Sequence, residues 1–463
     1  MESAGHQADF HVQAVECLLI LHHQGGAMIY FVTGITGTVV PVVVEDLMKK
    51  DPDAAFYFAI RKDKKGNGIQ ARFESVVDSL DLDIPTRRKL AERSRLVEIN
   101  VEKERLGIDP KLYSEIIEKT EKILHGAADV RFDQPYEKIR ISNVVFSQKI
   151  YDLFDSIKQH RETYAKNKPT LYYISTGYAY GIHKKPIPED FPEFHPGKPD
   201  NTYAQTKAEA KIFMLDKINR CKDSIVIFEP TIIGGSARTG RTKTYNLHYI
   251  VMMLGYMGKL PFLTAPENQL DIVPVDWVAA VISDIMAGDQ YHQGVVRLAS
   301  GAGGVPVKTL HDVGYNYYVT HDPVPGHVIP KIRFVPCWFF YSMINVQKIF
   351  YQAMYFCTRQ KRFRKMAKGI SLLEGYFPYI TRSKVFENSR SMELIQKYTN
   401  CSSAPTMQDI RDKDGQVIQK GYFGKILADT LETGWGGMVD FKRLEKKTAE
   451  YKSPQAALIS SRK

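Results

Sequence analysis

The sequence predicts an α/β protein built around a doubly wound parallel sheet. Apolar runs that lead into helical segments favour this class, because helices cover both faces of such a sheet and its strands read as continuous apolar stretches. The three features behind the prediction are the run 29–32 with its glycine turn Thr33-Gly-Ile-Thr-Gly37, the run 54–60 that ends at Arg61, and the helical pair Tyr203 and Lys207.

Length and composition indicate a globular protein of more than one domain. The chain has 463 residues, 44% of them hydrophobic and 25% charged, and this length exceeds what one compact core supports. A net charge of +11 favours anionic partners, and we expect no nucleic acid among them because no nucleic-acid-binding motif accompanies the charge. The five cysteines are scattered without a CxxC pair, which predicts a reducing, cytoplasmic location and no metal site.

The predicted organisation has four parts. Residues 1–27 read as a non-structural extension, because their apolar stretch is too short to span a membrane and a strand-like run begins at Met28, the expected functional start. Residues 28–330 are predicted to form the main domain with a smaller substrate-binding part. A mainly α-helical C-terminal region, 331–450, and a disordered tail, 451–463, complete the chain.

The glycine turn predicts the phosphate end of a dinucleotide site. A strand, a glycine turn and a helix follow one another in the first βα unit of a Rossmann-type fold. Gly34 permits the tight turn, and Gly37 lets backbone amides at the helix N-terminus approach a pyrophosphate. Val40 stands where the pattern TGxxGxxG has its third glycine, which normally serves helix–strand packing, so the motif is degraded.

Arg61 predicts which dinucleotide binds. In this fold the residue after the second strand meets the adenosine ribose, where an acid favours the 2′-hydroxyl of NAD and a base accommodates the 2′-phosphate of NADP. Arg61, assisted by Lys62 or Lys64, therefore indicates NADP(H), with an ordinary basic loop as the alternative. Ala127 and Ala128 follow a third strand-like run, and their small side chains suit a loop against the adenine-ribose side.

Tyr203 and Lys207 are the candidate catalytic pair. Four residues apart on a helix, they share one face, and an ammonium there lowers the pKa of a phenol that exchanges a proton with a carbonyl. Thr176 lies 27 residues before Tyr203, and Asn143 on a helical run could hold a water in a proton relay. The alternatives are an exposed helix face for the pair and a solvated side chain for Asn143.

In order, these segments resemble the extended short-chain dehydrogenases/reductases, and within them the male-sterility-type NAD-binding group of fatty acyl-CoA reductases and thioester reductase domains. The resemblance covers about residues 28–300 and depends on the ordered set of segments. They are Thr33-Gly-Ile-Thr-Gly37, Arg61, Leu106-Gly-Ile-Asp109, His125-Gly-Ala-Ala-Asp-Val-Arg-Phe132, Asn143-Val144, Ile174-Ser-Thr176, Tyr203 with Lys207, Pro230-Thr-Ile-Ile-Gly-Gly235 and Leu270-Asp-Ile-Val-Pro-Val-Asp-Trp277.

The resemblance implies an NADPH-dependent oxidoreductase that reduces a fatty acyl thioester, on coenzyme A or an acyl carrier protein, to an aldehyde or alcohol. Thr176 and Tyr203 would hydrogen-bond the developing oxyanion, with Tyr203 as proton donor. Lys207 would hold the nicotinamide ribose and keep the Tyr203 pKa low, and Asn143 would complete the catalytic set. The implied cofactor-binding residues are Thr33, Gly34, Thr36, Gly37, Thr38, Val39, Arg61, Lys62, Ala127, Ala128, Tyr203, Lys207, Pro230 and Ile233.

Two departures from the family pattern keep other functions open. Val40 replaces a glycine, and Glu229 precedes Pro230 where relatives often carry Arg. The same-fold alternative is an epimerase/dehydratase or a hydroxy-group dehydrogenase, because these share the Thr-Tyr-Lys chemistry and a fold does not fix the substrate. The other alternative is a non-catalytic NADP-binding regulatory protein.

The segment 334–365 predicts a peripheral membrane contact. It is rich in aromatic residues up to Phe356, and the basic run Arg359-Gln-Lys-Arg-Phe-Arg-Lys365 follows. Polar residues interrupt the apolar run, which argues against a membrane-spanning helix, whereas an amphipathic helix with a basic flank can lie on an anionic surface. A core helix of a small helical domain is the alternative. The sequence also leaves a homodimer open.

Overall fold

The computed structural model of the chain describes most of its length. The predicted extension, 1–27, lies outside the described residues except for Ala27, and the predicted tail, 451–463, lies wholly outside them, as does Lys64. The described residues are 27–62, 68–183, 186–189, 193–245, 247–407, 410–411, 417–419, 421–446 and 448–449.

Strands and helices alternate through the first half of the chain, and helices predominate after it. The strands are β1 (Ile29–Thr33), β2 (Ala55–Ile60), β3 (Ser94–Glu98), β4 (Lys122–His125), β5 (Thr170–Ile174), β6 (Ile225–Pro230), β7 (Ile232–Gly234), β8 (Phe262–Leu263), β9 (Gln269–Leu270), β10 (Ile272–Pro274), β11 (Gly294–Leu298), β12 (Val305–Pro306), β13 (Arg333–Phe334), β14 (Ile410–Arg411) and β15 (Val417–Gln419). The helices are α1 (Val40–Lys50), α2 (Ile69–Ser79), α3 (Ile84–Glu92), α4 (Pro110–Lys119), α5 (Tyr136–Arg140), α6 (Phe146–Thr163), α7 (Thr202–Asp216), α8 (His248–Tyr256), α9 (Val275–Gly288), α10 (Val307–His321), α11 (Cys337–Thr358), α12 (Lys361–Glu374), α13 (Phe377–Thr381), α14 (Ser389–Tyr398) and α15 (Phe423–Gly437).

The central sheet has seven strands in the order β3-β2-β1-β4-β5-β6-β11. Every neighbouring pair in it is parallel. Strands β1, β2 and β5 are buried at every position, as expected for strands with helices on both faces of the sheet. The order runs outward in both directions from β1 and β4, which is the Rossmann-type arrangement. The predicted fold class is therefore confirmed.

The chain divides into two compact units. The first consists of Met1–Thr231, Val275–Ala299 and Phe386–Ala404 and contains the seven-stranded sheet. The second consists of Ile232–Pro274, Ser300–Val385 and Pro405–Lys463. It is mainly helical, and its strands form short pairs: β7 with β10, β8 with β13, β9 with β12, and β14 with β15.

The core of the first unit is built from helix faces that pack on the sheet. Helix α6 contributes Ile150, Phe154 and Ile157, whose spacing of three and four residues places them on one face. They belong to the same buried cluster as Ile29 and Phe31, which alternate along β1. Apolar residues at helical spacing on α6 and at alternate positions on β1 thus form the two sides of one core.

Val40 occupies the position of the missing third glycine without opening the helix–strand contact. Helix α1 begins at Val40 with Pro41 in its first turn, and the Val40 side chain is buried. A β-carbon built on Gly126, the residue after β4, would lie only 2.4 Å from Val40 Cγ2. The side chain absent from Gly126 therefore leaves the space that Val40 fills. Close packing between α1 and the sheet is therefore preserved, because the small residue of the contact is Gly126 after β4 and not a glycine on α1.

We expect Gly126→Ala to destabilise the protein by about 1–3 kcal/mol, because the added methyl group overlaps Val40. Combination with Val40→Ala should recover part of the loss, so the double variant should lose less than the sum of the single variants. Recovery will be partial, since Ile174 Cδ1 also lies 3.1 Å from the new β-carbon. Urea titration gives the free energies of unfolding.

The control is Gly424→Ala, because a β-carbon at this position of α15 meets nothing within 4 Å. Its stability should equal or slightly exceed that of the wild type, since Ala favours a helix over Gly. Strictly additive losses for Gly126→Ala and Val40→Ala would contradict the contact.

Candidate active site

The predicted site residues of the first unit lie at the carboxyl edge of the sheet. Thr33 ends β1, Arg61 follows β2, Ala127 lies two residues after β4, Thr176 follows β5, and Pro230 ends β6. Parallel strands end at the same edge, so the sheet brings these positions to one side of the molecule. Strands β1 and β4 are neighbours where the strand order reverses, and ligands of open α/β sheets bind outside such a point.

The glycine turn has the geometry that a pyrophosphate site requires. Gly34 has a φ of +94°, and a β-carbon there would lie 2.7 Å from the Ala127 backbone nitrogen, so this position demands glycine. The Gly37 amide donates to the Gly34 carbonyl at 2.8 Å and closes the turn before α1. The N-cap residue of α1 is Val39, whose side chain has no acceptor for the first-turn amides. Amides in that position suit an anion, so these residues fit the phosphates of a dinucleotide.

An arginine cluster, formed by Arg61, Arg72 and Arg131, lies where β2 ends. The side chain of Arg72, on α2, donates to the Arg61 carbonyl oxygen and, at 3.1 Å, to the Thr36 hydroxyl. The charges that act on the Arg61 guanidinium are those of Asp129, Arg72 and Arg131, and Asp129 is paired with Arg131 at 2.5 Å. Three guanidinium groups thus face Asp129, with Asp133 as a second carboxylate near Arg131, which leaves the cluster positive.

Sequence reasoning missed Arg72, because no motif marks it and only the packing of α2 brings its side chain to the glycine turn. Lys62, which was expected to assist Arg61, forms an ion pair with Glu98 at 2.9 Å. Both of those side chains are largely exposed. The structure thus presents Arg72 and Arg131, and not only Arg61, at this part of the site.

Buried hydrogen bonds tie the glycine turn to helix α6 through His125. Thr33 Oγ1 lies 2.8 Å from His125 Nδ1, and His125 Nε2 lies 3.0 Å from Ser147 Oγ. The Ser147 hydroxyl donates to the Asn143 carbonyl at 2.7 Å, so it accepts from His125. His125 therefore carries its proton on Nε2 and accepts from Thr33 at Nδ1. Burial lowers the pKa of His125 to about 3, with Lys207 as a second cause, so the ring is neutral.

Asn143 extends these bonds to the helix that carries the catalytic pair. It lies in a π-helical turn, Ile141–Val145, between α5 and α6. Its side-chain amide donates to the Asp129 carbonyl and to Thr206 Oγ1, both at 3.0 Å, and its side-chain oxygen accepts from the Asp129 amide at 2.7 Å. Thr206 donates to the Tyr203 carbonyl at 3.0 Å. The Asn143 side chain is buried and fully bonded, so the alternative of a solvated Asn is wrong.

Backbone groups near the end of β5 hold both Lys207 and Thr176. The Lys207 ammonium donates to the Ile174 carbonyl at 2.7 Å and lies 4.5 Å from the centre of the Tyr173 ring. The Thr176 hydroxyl donates to the Pro230 carbonyl and accepts from the Tyr178 amide, both at 3.2 Å. Asn201 caps α7 by accepting from the Ala204 amide, which fixes the helix start one residue before Tyr203.

The expectation that Lys207 lowers the pKa of Tyr203 is wrong for this structure. Burial raises the pKa of Tyr203 above its ordinary value and lowers the pKa of Lys207 to about 7. Tyr203 retains some exposed surface, whereas Lys207 is buried. Removal from water penalises the charged form of each group, and this shifts the two pKa values in opposite directions. The alternative of an exposed helix face is also wrong for Lys207.

Glu229 lies in the core and does not face the site edge. Its carboxylate is fully buried and pairs with Lys211 at 2.5 Å and with Arg297 at 3.3 Å. Arg297 also donates to the carbonyl oxygens of Ile187 and Glu387. The Glu229 carboxylate is therefore balanced by two buried cations. Ile233, the last predicted cofactor residue, lies in β7 of the second unit.

The second unit contains an apolar cavity of about 690 Å³, including its opening to solvent. Its walls come mainly from α8, α10 and the segment 329–332, with Val251, Leu310 and Ile332 among the lining residues. His248 also lines it, and within the described residues neither of its buried ring nitrogens has a hydrogen-bond partner. Burial lowers the pKa of His248 to about 3, so the ring is neutral. No sequence motif marked this cavity, because its lining residues are dispersed along the chain.

The family model described as "Male sterility protein", an NAD-binding family, matches residues 32–282. Because this match covers more than half of the chain, the chain belongs to that family. The resemblance to the male-sterility-type group of extended short-chain dehydrogenases/reductases is thereby confirmed, and with it a nicotinamide nucleotide as the class of cofactor.

Relatives and solved structures agree with this placement. Fatty acyl-CoA reductase 1 of Pongo abelii is 26% identical over 296 residues, which are 57% of this chain and 55% of that protein. The chain thus spans about half the length of this curated relative. The terminal R domain from the myxalamid PKS-NRPS biosynthetic pathway has a TM-score of 0.65 at 20% identity, covering 89% of this chain and 92% of that one. A UDP-glucuronic acid 4-epimerase from Bacillus cereus, in complex with NAD, has a TM-score of 0.52 at 13% identity, covering 87% of this chain and all of that one.

Proposed function

We propose that the chain is an NADPH-dependent reductase of a fatty acyl thioester. The observation that carries the proposal is the convergence of Lys207 and Thr176 at the end of β5, with Tyr203 one helical turn before Lys207. The glycine turn beside them fits the phosphates of the cofactor. Membership of the family and the similarity to a fatty acyl-CoA reductase support the reaction class.

When held by the glycine turn, NADPH would supply a hydride to the thioester carbonyl. Tyr203 then donates its phenolic proton to the carbonyl oxygen, and its raised pKa suits this role because the phenol is protonated at neutral pH. The Thr176 hydroxyl, which donates to the Pro230 carbonyl, turns toward the oxyanion as negative charge develops. The resulting hemithioacetal collapses to an aldehyde and releases the thiol.

Lys207 has two tasks in this scheme. Its hydrogen bond to the Ile174 carbonyl holds the ammonium beside the strand that carries Thr176. With a pKa of about 7, it exchanges a proton readily near neutral pH and can restore the proton that Tyr203 gives up. In this scheme Tyr203 reacts as a protonated phenol, so Lys207 does not have to stabilise a phenolate.

Tyr203→Phe should lower turnover by roughly 10²–10⁴-fold, because it removes the proton donor and keeps the ring. NADPH binding should change by less than about threefold, since the phenol makes no charged contact with a phosphate. The assay follows NADPH consumption with acyl-CoAs of several chain lengths, and product formation from UDP-sugars is followed by chromatography because epimerases and dehydratases consume no net cofactor. Near-wild-type turnover would contradict the role of Tyr203, and turnover of UDP-sugars alone would favour the epimerase/dehydratase class.

The arginine cluster of Arg61, Arg72 and Arg131 supports the choice of NADPH over NADH. A 2′-phosphate brings negative charge to a region where three guanidinium groups outnumber the two carboxylates Asp129 and Asp133. An NAD-specific site would instead place an acid where Arg61 stands. The arginine cluster should contribute little to binding the parts of the dinucleotide that NADPH and NADH have in common.

Arg61→Ala and Arg72→Ala should each weaken NADPH binding by roughly 10–100-fold, because a charge-assisted contact contributes about 1.5–3 kcal/mol. For Arg61→Ala, NADH binding should weaken by less than about threefold. Direct titration of both cofactors measures this. Arg88→Ala is the matched control, since Arg88 is exposed and, within the part of the chain that the structure describes, pairs only with Glu92 on α3. Equal losses for NADPH and NADH would contradict recognition of the 2′-phosphate.

The cavity of the second unit supports a substrate with a long hydrocarbon chain. Aliphatic and aromatic walls favour such a chain, and each methylene removed from water contributes about 0.8 kcal/mol. Gly314 lines the cavity, and a β-carbon there would meet Leu427 and Tyr318 only at ordinary contact distances of 3.8 and 3.9 Å. A larger side chain at this position can therefore be added toward the cavity.

Gly314→Leu should raise KM for long-chain acyl-CoA by roughly tenfold or more, because the new side chain occupies space that several methylenes would fill. KM for short-chain acyl-CoA should stay within about twofold. Gly424→Leu, which adds the same side chain at an exposed position of α15, is the control. Displacement of a fluorescent fatty acid provides a readout that does not depend on turnover. Equal effects on short and long chains would contradict this use of the cavity.

A further inference from the structure

Helix α11 carries an apolar face that remains exposed among the described residues. The apolar face consists of Trp338, Phe339, Val346, Ile349, Phe350 and Phe356, which are between 40% and 71% exposed. At 100° per residue these side chains fall within an arc of about 120°. Isolated exposed apolar residues are ordinary, but a continuous aromatic face of this kind marks an interaction surface.

The opposite side of α11 is the one that packs on the protein. Phe340 and Ile344 are buried and form a cluster with Ile370 of α12 and Phe377 of α13. The Lys348 ammonium pairs with Glu374 at 2.6 Å at the base of the same contact. The predicted alternative of a core helix therefore describes only a narrow stripe of α11.

A strong positive charge accompanies the apolar face. Between residues 331 and 373 the sequence contains no Asp or Glu. The basic cluster Arg359, Lys361, Arg362, Arg364 and Lys365 is exposed, and no carboxylate of the described residues pairs with it. The Arg359 guanidinium lies 4.9 Å from the centre of the Phe356 ring, so the cluster begins at the edge of the apolar face.

We propose that the hairpin of α11 and α12 docks on an anionic lipid bilayer, with the apolar face in the interface and the basic cluster against the headgroups. A second copy of the chain would bring two such clusters together, and their repulsion disfavours that occupant. Aromatic side chains beside basic ones match the boundary between acyl chains and anionic headgroups. Within the described residues, no helix is long and apolar enough to cross a membrane, which suits contact along the surface. This proposal does not depend on the proposed reaction.

Tryptophan fluorescence gives a direct readout of the docking. The chain has three tryptophans, of which Trp277 and Trp435 are buried and Trp338 is 71% exposed. On vesicles of phosphatidylcholine with phosphatidylserine, Trp338 emission should shift to shorter wavelength and be quenched by brominated acyl chains. Trp338→Phe should remove the shift and retain vesicle binding by co-sedimentation. Vesicles of phosphatidylcholine alone should bind far more weakly, and added salt should weaken the binding to anionic vesicles.

Two sets of variants of the full chain separate the apolar and electrostatic contributions. Replacement of the basic cluster by Gln should weaken binding by roughly 100-fold or more. The triple variant Trp338→Ser, Ile349→Ser and Phe356→Ser should weaken it by roughly tenfold or more. Ile84→Ser with Val328→Ser is the control, because these side chains are 81% and 80% exposed and lie outside the hairpin.

Three outcomes would overturn the proposal. Binding that depends on the basic cluster but not on the apolar face would mean simple electrostatic adsorption. Absence of binding to anionic vesicles, together with a dimer that the triple variant dissociates in sedimentation, would assign the face to a second copy. Absence of both would mean that the face docks on neither a bilayer nor a second copy.

Discussion

Neutral, buried His125 joins the parts of the first unit on which its site depends. It accepts a hydrogen bond from Thr33 at the glycine turn and donates one to Ser147, whose hydroxyl bonds to the Asn143 carbonyl. Asn143 in turn bonds to Thr206 on the helix of Tyr203. Each N–H and O–H hydrogen in this series has its own acceptor, the two hydrogens of the Asn143 amide included, so a single arrangement of protons satisfies it. Because an unpaired polar group in this interior would cost about 1–3 kcal/mol, the bonds fix β1, β4, α6 and α7 relative to one another.

Burial is the dominant electrostatic influence at this edge of the sheet. It makes His125 neutral, brings the pKa of Lys207 to about 7, and keeps Tyr203 protonated. A phenol that remains protonated suits a reaction in which it donates, and a lysine near its pKa suits reprotonation. Glu229 shows the other response to burial, since two cations balance its charge in the core.

The two units differ in the chemistry that they offer. The first has the glycine turn, the arginine cluster and the Tyr-Lys helix, which are suited to an anionic dinucleotide and to proton transfer. The second has an apolar cavity with a neutral histidine, and a helical hairpin with an uncovered aromatic face. The first unit therefore suits polar, anionic ligands, and the second unit suits apolar ones.

The sequence by itself determined the features that depend on neighbouring residues. The buried strands β1 and β2, the left-handed glycine at position 34 and the Tyr203–Lys207 spacing all follow from local patterns, and they sufficed for the fold class and the family. Tertiary structure decided what depends on contacts between distant residues. Thr33 and His125 are 92 residues apart in sequence, and Arg72 reaches Thr36 from another helix. Gly126 accommodates Val40 only because β4 lies beside β1. The sequence predicted a lowered pKa for Tyr203, and this prediction was wrong for the same reason. Desolvation depends on every chain segment that packs around a group, and no local pattern records it.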